Sequence, residues 1–140
     1  MQIHASCAAR DGAGVLILGP PGTGKSDLAL RLIDRGFILV ADDRVVIENG
    51  LASPAASLAG LIEVRGLGLL RLPYCAPVRL ALAIELTDAE ERLPSPAHHA
   101  ALRLPVWRLD PRPASAAQRA ELALDCALGR RTQLAGAFTS

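Results

Sequence analysis

The sequence predicts an α/β fold with a mixed sheet, and three observations carry that prediction. A short apolar run, Gly14-Val-Leu-Ile-Leu18, leads through a glycine-rich segment into a stretch with helical spacing. A second apolar run, Phe37-Ile-Leu-Val-Ala41, ends in two aspartates. An Asn49-Gly50 pair then separates two further strand-like segments. The first two features are the pattern of buried strands joined by a helix, and the third is the strongest short-range signal for an antiparallel hairpin. At 140 residues the chain has the length of one ordinary domain, so residues 1–140 are read as a single unit with a continuous core.

Each element follows in order. Ile3 to Ala9 is expected as an edge strand, joined by the turn-like Arg10-Asp-Gly-Ala13 to the strand Gly14–Leu18. Asp27 to Arg35 places Leu28, Leu32 and Ile33 at helical spacing, and Arg35-Gly36 ends the helix with a cation in the last turn and a glycine after it. Phe37–Ala41 returns as a buried strand, and Val45–Glu48 and Leu51–Ala52 flank the Asn-Gly turn. Leu61–Arg65 reads as a strand, Gly66-Leu67-Gly68 as a flexible corner, and Val78–Leu86 as a longer strand. Pro94, Pro96, Pro105, Pro111 and Pro113 mark residues 93–114 as loop-rich. Ser115–Leu128 is the last helix, with Ser115 as N-cap, Leu122 and Leu128 as core contacts and Gly129 at its end.

Composition narrows the function classes. Apolar residues make up 51% of the chain, which excludes a disordered polymer. The net charge of +1 leaves no electrostatic footprint for a nucleic acid or an anionic membrane, and the four aromatic residues, Phe37, Tyr74, Trp107 and Phe138, make no stacking platform. The longest uncharged stretch, Asn49 to Ile62, is 14 residues and contains Pro54, short of the roughly 18 needed to span a bilayer. The N-terminus lacks the basic and apolar regions of a secretion signal. Cys7, Cys75 and Cys126 are odd in number and lack paired metal or redox spacing, so reduced thiols and a cytoplasmic location are expected.

Lys25 is the only lysine in the chain, and it lies within Gly19-Pro20-Pro21-Gly22-Thr23-Gly24-Lys25-Ser26. This segment fits the phosphate-loop pattern G-x-x-x-x-G-K-[ST] at every fixed position, after a strand and before a helix. Glycines at these positions let successive backbone N–H groups turn inward around phosphate oxygens, and the helix start directs its positive dipole end at the same anion. Lys25 is expected to reach the β- and γ-phosphates and Ser26 to take one position on Mg²⁺, so ATP and Mg²⁺ are the expected ligands. A helix of about 11 residues at 1.5 Å each carries the chain roughly 16 Å from the loop, and a five-residue strand brings it back by the same distance. Asp42 and Asp43 therefore return beside the phosphates, at the carboxyl edge where open α/β sheets place their ligands. One carboxylate suffices to hold Mg²⁺ through water, which leaves another job for its neighbour, such as taking the proton from an attacking hydroxyl. Asp43-Arg44 also reads as an ordinary exposed turn pair.

Together, Ile3-His-Ala5, Gly14-Val-Leu-Ile17, the phosphate loop, Asp27-Leu-Ala-Leu30, Arg35-Gly36, Leu39-Val-Ala-Asp-Asp43 and above all Leu61-Ile-Glu-Val-Arg-Gly-Leu-Gly68 resemble the catalytic domain of HPr kinase/phosphorylase. The resemblance is close from residue 3 to about 72 and thin afterwards. It implies a P-loop kinase whose nucleotide-binding core resembles that of phosphoenolpyruvate carboxykinase. It further implies phosphorylation of a serine on the phosphocarrier HPr, with a reverse phosphorolysis by inorganic phosphate, and a homo-oligomer, a hexamer in the resembled family. Carried over residue by residue, it implies Asp42 as the base, Lys25 and His4 as active positions near the phosphates, and Ser26 and Glu63 as Mg²⁺ ligands, with Asp43 beside them. Arg65, Gly66, Leu67 and Gly68 would meet the protein substrate. Glu63 and Arg65, two apart on a strand, are expected on one face, as a metal ligand and a phosphate clamp require; a solvated ion pair is the plain alternative. Arg92 falls where the family carries an arginine that assists catalysis, matched here only by Arg-Leu. His98-His99 has no partner at ligand spacing.

The chain departs from the family pattern in several places. The family's usual N-terminal domain has no counterpart, Pro21 replaces a small polar residue, and the segment between the aspartates and Glu63 is short. The family's C-terminal loop is replaced by Asp110-Pro-Arg-Pro-Ala-Ser-Ala-Ala-Gln118, in which Arg112 is the only cation. These departures resemble a truncated form. A small-molecule kinase of the nucleotide or shikimate type and a nucleotide-binding switch module remain as alternatives. The first lacks room for a lid and an arginine-rich arm, and the second lacks the D-x-x-G and N-K-x-D segments of GTPases.

Overall fold

The computed structural model describes residues 1–139. In chain order its elements are β1 (Gln2–His4), β2 (Ser6–Arg10), β3 (Ala13–Leu18), α1 (Lys25–Asp34), β4 (Ile38–Ala41), β5 (Arg44–Glu48), β6 (Leu51–Pro54), β7 (Leu61–Val64), β8 (Gly68–Arg71), β9 (Val78–Leu86), β10 (Ala97–His99), β11 (Leu104–Leu109) and α2 (Ala116–Ala127). The expected α/β class with a mixed sheet holds: β3, β9 and β11 pair in parallel, and the other ladders are antiparallel.

The sheet is organised by one long ribbon. β1 and β2 run antiparallel to β5 and β4 along their length, from Gln2 opposite Val46 to Ala9 opposite Ile38. β5 then pairs with β6, β6 with β9, β9 with β3 and β3 with β2, so the sheet curls back on the ribbon from which it started. Ile3–Ala9 is thus two strands, and only β1 is an edge. β2 lies between β3 and β4 because Cys7, Ala8 and Ala9 are small and buried on both faces, which lets neighbours close over either side. The inside of the curl is filled by Cys7, Ala9, Leu16, Val40, Val45, Val78, Leu80 and Ala83. Its other face, with Ala8, Val15, Ile17, Leu82 and Ile84, receives both helices.

α1 begins at Lys25, two residues before the expected start, and ends as the sequence suggests. Gly36 sits at φ 100°, its amide bonds the Ile33 carbonyl, and the Phe37 amide bonds that of Leu32. This double closure is the glycine-terminated C-cap, with Phe37 packed beside Leu32 in the core. In α2 the expected phase is wrong. Leu122 and Leu128 are exposed, and the buried stripe is Ala116, Ala117, Ala120, Ala123 and Leu124. Four alanines let the helix axis approach the sheet more closely than leucines would, and the leucines turn to the rim. Ser115 precedes this helix but makes no side-chain cap hydrogen bond. A charged cluster fixes the helix against β2: Arg10 bonds Glu121 and Asp125, Arg35 bonds Glu121, and the Arg10 guanidinium lies 5.3 Å from the Phe37 ring centre.

Residues 93–114 are less irregular than expected, because they contain β10 and β11. Pro105 stands in β11, and β10, on its outer side, has only three residues. Antiparallel to β2, β4 runs in the same sense as β3, so β3, β4, β9 and β11 all deliver their carboxyl ends, at Leu18, Ala41, Leu86 and Leu109, to one edge.

Truncating the fully buried Leu124 to alanine is expected to cost about 2–5 kcal/mol of unfolding free energy, whereas Leu122→Ala on the rim costs less than about 1. Denaturant titration of the two variants checks the assignment, and equal losses would contradict this helix phase.

Candidate active site

The glycine-rich loop, residues 19–24, leaves the carboxyl end of β3 and enters α1 through Gly24 at φ 100°. Gly22 also has a positive φ, 79°, and a Cβ built on it would meet nothing within 4 Å. The space beside Gly22 is therefore open, with no side chain filling it. Gly19 is glycine for a different reason: the Thr23 hydroxyl oxygen lies 2.7 Å from where its Cβ would stand. That hydroxyl donates to the Pro20 carbonyl at 2.7 Å, closing the loop on itself. Lys25 folds back over the loop, its Nζ donating to the carbonyls of Gly19 at 2.7 Å and Pro20 at 3.0 Å. Pro20 and Pro21, which supply no N–H, occupy the outer turn.

Asp42 stands at the end of β4 and is buried. Its Oδ1 accepts hydrogen bonds from the hydroxyls of Ser26 and Ser6, each at 2.7 Å, and its Oδ2 accepts a longer one, 3.3 Å, from the Glu63 amide. The helix-out, strand-back estimate thus brings Asp42 to the phosphate loop. Asp43, by contrast, is exposed. It sits at φ 71° while the Arg44 amide bonds the Asp42 carbonyl at 2.8 Å, an i to i+2 closure of the rare γ-turn kind. A left-handed aspartate is strained, and here the strain marks the point where the long ribbon bends between β4 and β5.

Glu63 and its neighbours form the separate β7–β8 hairpin. Val64 pairs with Gly68, and the Leu67 amide closes the turn on the Val64 carbonyl at 2.9 Å. The Gly66-Leu67-Gly68 corner is therefore real, with Gly66 at φ 78°. Arg65 falls in the turn rather than on the strand, so two-residue alternation does not place it on the face of Glu63. Both are exposed, as is Leu67, and the buried Ile62 anchors the hairpin. His4 is exposed at the end of β1, opposite Arg44 in register, and the next amide, of Ala5, bonds the Asp43 carbonyl at 3.3 Å.

Arg92 is not with these residues. It lines a groove of about 270 Å³ between α2 and the C-terminal segment, with Trp107, Leu122 and Phe138. Among the described residues, no three His, Cys, Asp or Glu side chains come together as a metal cluster. What the fold assembles beside Lys25 is a hydroxyl and a carboxylate, Ser26 and Asp42, the hard oxygen donors a magnesium ion takes. Open glycines, a helix start and a lysine in the same loop fit a polyphosphate. The chemistry of the donors therefore agrees with both expected ligands.

Two features escaped sequence reading. Ser6 is fully buried against Asp42, and nothing in a run of small residues signals it. The Asp110–Arg112 segment lies against the end of the phosphate loop: Arg31 donates to the Pro111 carbonyl at 2.7 Å, and the Pro111 ring would lie 3.8 Å from a Cβ on Gly24. Arg112 is turned back on Asp110, its Nη2 at 2.8 Å and Nε at 3.0 Å from the carboxylate, and this pairing holds the Asp110 carboxyl down to about 2.

A phosphate loop between a parallel strand and a helix, facing a strand-end aspartate across the sheet edge, defines an α/β fold of the P-loop kinase class. Residues 1–76 match the family model described as "HPr Serine kinase C-terminal domain", and the chain belongs to that family. It is 35% identical over 105 residues to an HPr kinase/phosphorylase of Mycoplasmopsis pulmonis, covering 65% of this chain and 33% of that protein. It is 52% identical over 64 residues to one of Caldicellulosiruptor bescii, covering 42% and 21%. The solved structure described as the Hpr(Ser) kinase/phosphatase from Coxiella burnetii matches with a TM-score of 0.76 at 24% identity, over 93% of this chain and 97% of that one, a likeness of fold. The chain spans a third or less of the length of the curated relatives named here. No helix among the described residues is long and apolar enough to cross a membrane.

Proposed function

We propose that this chain is an ATP-dependent protein-serine kinase acting on an HPr-type phosphocarrier in the cytoplasm. The observation that carries the reading is the Asp42 carboxylate, held by Ser26 of the phosphate loop through Oδ1 and nearly free at Oδ2. A carboxylate oxygen has two acceptor sites. Those of Oδ1 are taken by two hydroxyls, so Oδ2 is the atom left to accept the proton of an incoming serine. Family membership supplies the acceptor class.

In this reading the loop amides of Gly19, Gly22, Thr23 and Gly24, with Lys25 and the start of α1, bind and orient the phosphates. Lys25 has no anion partner among the described residues, and its two carbonyl bonds keep the ammonium over the loop. Ser26, hydrogen-bonded to Asp42, would hold Mg²⁺, with Glu63 and Asp43 as the carboxylates that family likeness adds; the ion when bound offsets the negative charge of the phosphates. Asp42 takes the serine proton as the hydroxyl attacks. Arg65, Gly66, Leu67 and Gly68 form an exposed turn on the hairpin that contacts Asp42, where a protein acceptor can reach it. His4 lies at the same end of the ribbon. Arg92 has no part in the reading, because it lines the groove beside α2 and not the phosphate loop.

Lys25→Ala is expected to weaken ADP binding and to abolish transfer from labelled ATP to HPr. Asp42→Asn should keep the nucleotide and lose transfer by about 10² to 10⁴. Transfer by Asp42→Asn above about a tenth of the wild-type rate would remove the base assignment. Efficient labelling of a nucleotide or shikimate in place of HPr would favour the small-molecule alternative.

Direction follows from the loop over the phosphates. Inorganic phosphate needs cationic donors beyond those that serve ATP, and Arg112, the only cation in that segment, is committed to Asp110 between two prolines without N–H groups. Phosphorylation of HPr by ATP should therefore far outrun pyrophosphate formation from phospho-HPr in millimolar phosphate. Comparable rates on one preparation would contradict this.

Self-association belongs to the same reading. Leu93, Leu122, Leu128 and Leu134 are all exposed in the C-terminal third. Sedimentation at tens of micromolar, an ordinary range of subunit affinity, should show a species larger than 14.7 kDa; a monomer alone would refute it.

A further inference from the structure

We propose that Ser6 is the positioning residue of this site, a buried hydroxyl whose work is to hold the Asp42 carboxylate with Oδ2 turned toward the acceptor. Ser6 is 1% exposed and Asp42 is 5% exposed, and among the described residues they are the two buried polar ones. A hydroxyl taken out of water is unfavourable unless it is hydrogen-bonded, and Asp42 Oδ1, at 2.7 Å, is the partner this one has. The rest of β2 up to Arg10 is Cys7, Ala8 and Ala9, so alanine at position 6 would satisfy the strand and the packing equally well. What alanine could not do is donate.

Two hydroxyls converge on Oδ1, and they come from different parts of the fold. Ser26 belongs to the nucleotide loop, and its oxygen has a second task there. Ser6 belongs to the central strand β2, hydrogen-bonded on both sides by β3 and β4, and does not depend on the loop. A carboxylate with one fixed oxygen can still swing about its own axis. With Ser6 and Ser26 on one oxygen and the Glu63 amide near the other, its plane is defined from three sides. Ser6 is the member of this set carried by a strand paired on both sides, so it sets the direction in which Oδ2 points.

This assignment rests on the reading of Asp42 as the base, and the test separates the two. Wild type, Ser6→Ala, Ser6→Thr, Asp42→Asn and the Ser6→Ala/Asp42→Asn double variant are compared for kcat of HPr phosphorylation at saturating Mg-ATP and for ADP affinity by calorimetry. Circular dichroism reports folding. Ser6→Ala is expected to lower kcat about tenfold, the size of a hydrogen bond to a charged group, with ADP affinity within about twofold of wild type. Ser6→Thr, which keeps the hydroxyl, should recover most of the rate. In the Asp42→Asn background, removing the Ser6 hydroxyl should change nothing further, because the two groups act as a unit.

A Ser6→Ala kcat within about twofold of wild type would overturn the proposal. So would a rate loss matched by an equal loss of ADP affinity or of folded signal, or one that persists undiminished in the Asp42→Asn background. If Asp42→Asn itself keeps the wild-type rate, the base reading falls instead. If the wild type transfers nothing to HPr, the crystal structure of Ser6→Ala decides: a carboxylate rotated from its wild-type plane supports positioning, and an unmoved one refutes it.

Discussion

A carboxylate withdrawn from water must be given donors, and Asp42 draws them from three segments far apart in the chain. Ser6 comes from β2, Ser26 from the first turn of α1 and the Glu63 amide from the β7–β8 hairpin. The constraint reaches well beyond the site. It fixes where β4 must end, which face of β2 carries a hydroxyl, and how the otherwise separate hairpin is seated on the main sheet. The left-handed Asp43 is part of the same arrangement, because the ribbon can turn into β5 without withdrawing Asp42 only by closing tightly there.

Much of this was legible from residues close together in sequence. The phosphate loop is a local motif, and the return of Asp42 to it follows from the rise per residue of a helix and a strand. The cap at Gly36 is equally local. What could not be read depends on partners distant in sequence. β2 reads as an edge until β3 and β4 are seen to enclose it. β11 is masked by Pro105 and by the prolines around it, and its pairing with β9 is a parallel contact that no neighbouring residue announces. The phase of α2 is hidden in the sequence because Leu122 and Leu128 stand on the rim while its alanines do the packing. Arg65 was placed by extending strand alternation one residue past the point where the chain turns.

The two halves of the chain relate differently to known proteins. The family match stops at residue 76, yet the structural likeness covers 93% of the chain. The later half contributes β9, β11 and α2, whose task is to flank β3 and cover one face of the sheet. Such packing accepts many apolar sequences of similar volume, whereas a site that orients a carboxylate accepts few. The fold can therefore persist where sequence likeness fades, and the Pro111 segment shows how the later half still touches the site, by lying against the loop rather than by supplying charge to it.

The ammonium of Lys25, tied to two loop carbonyls, is also the only side-chain amine in the chain. An acylating reagent thus has a single side-chain amine to find, and the rate at which Lys25 is modified reads the state of the phosphate loop alone. With arginine carrying every other fixed positive side-chain charge, the chain has an intrinsic single-site reporter at the position where its ligand is expected to bind.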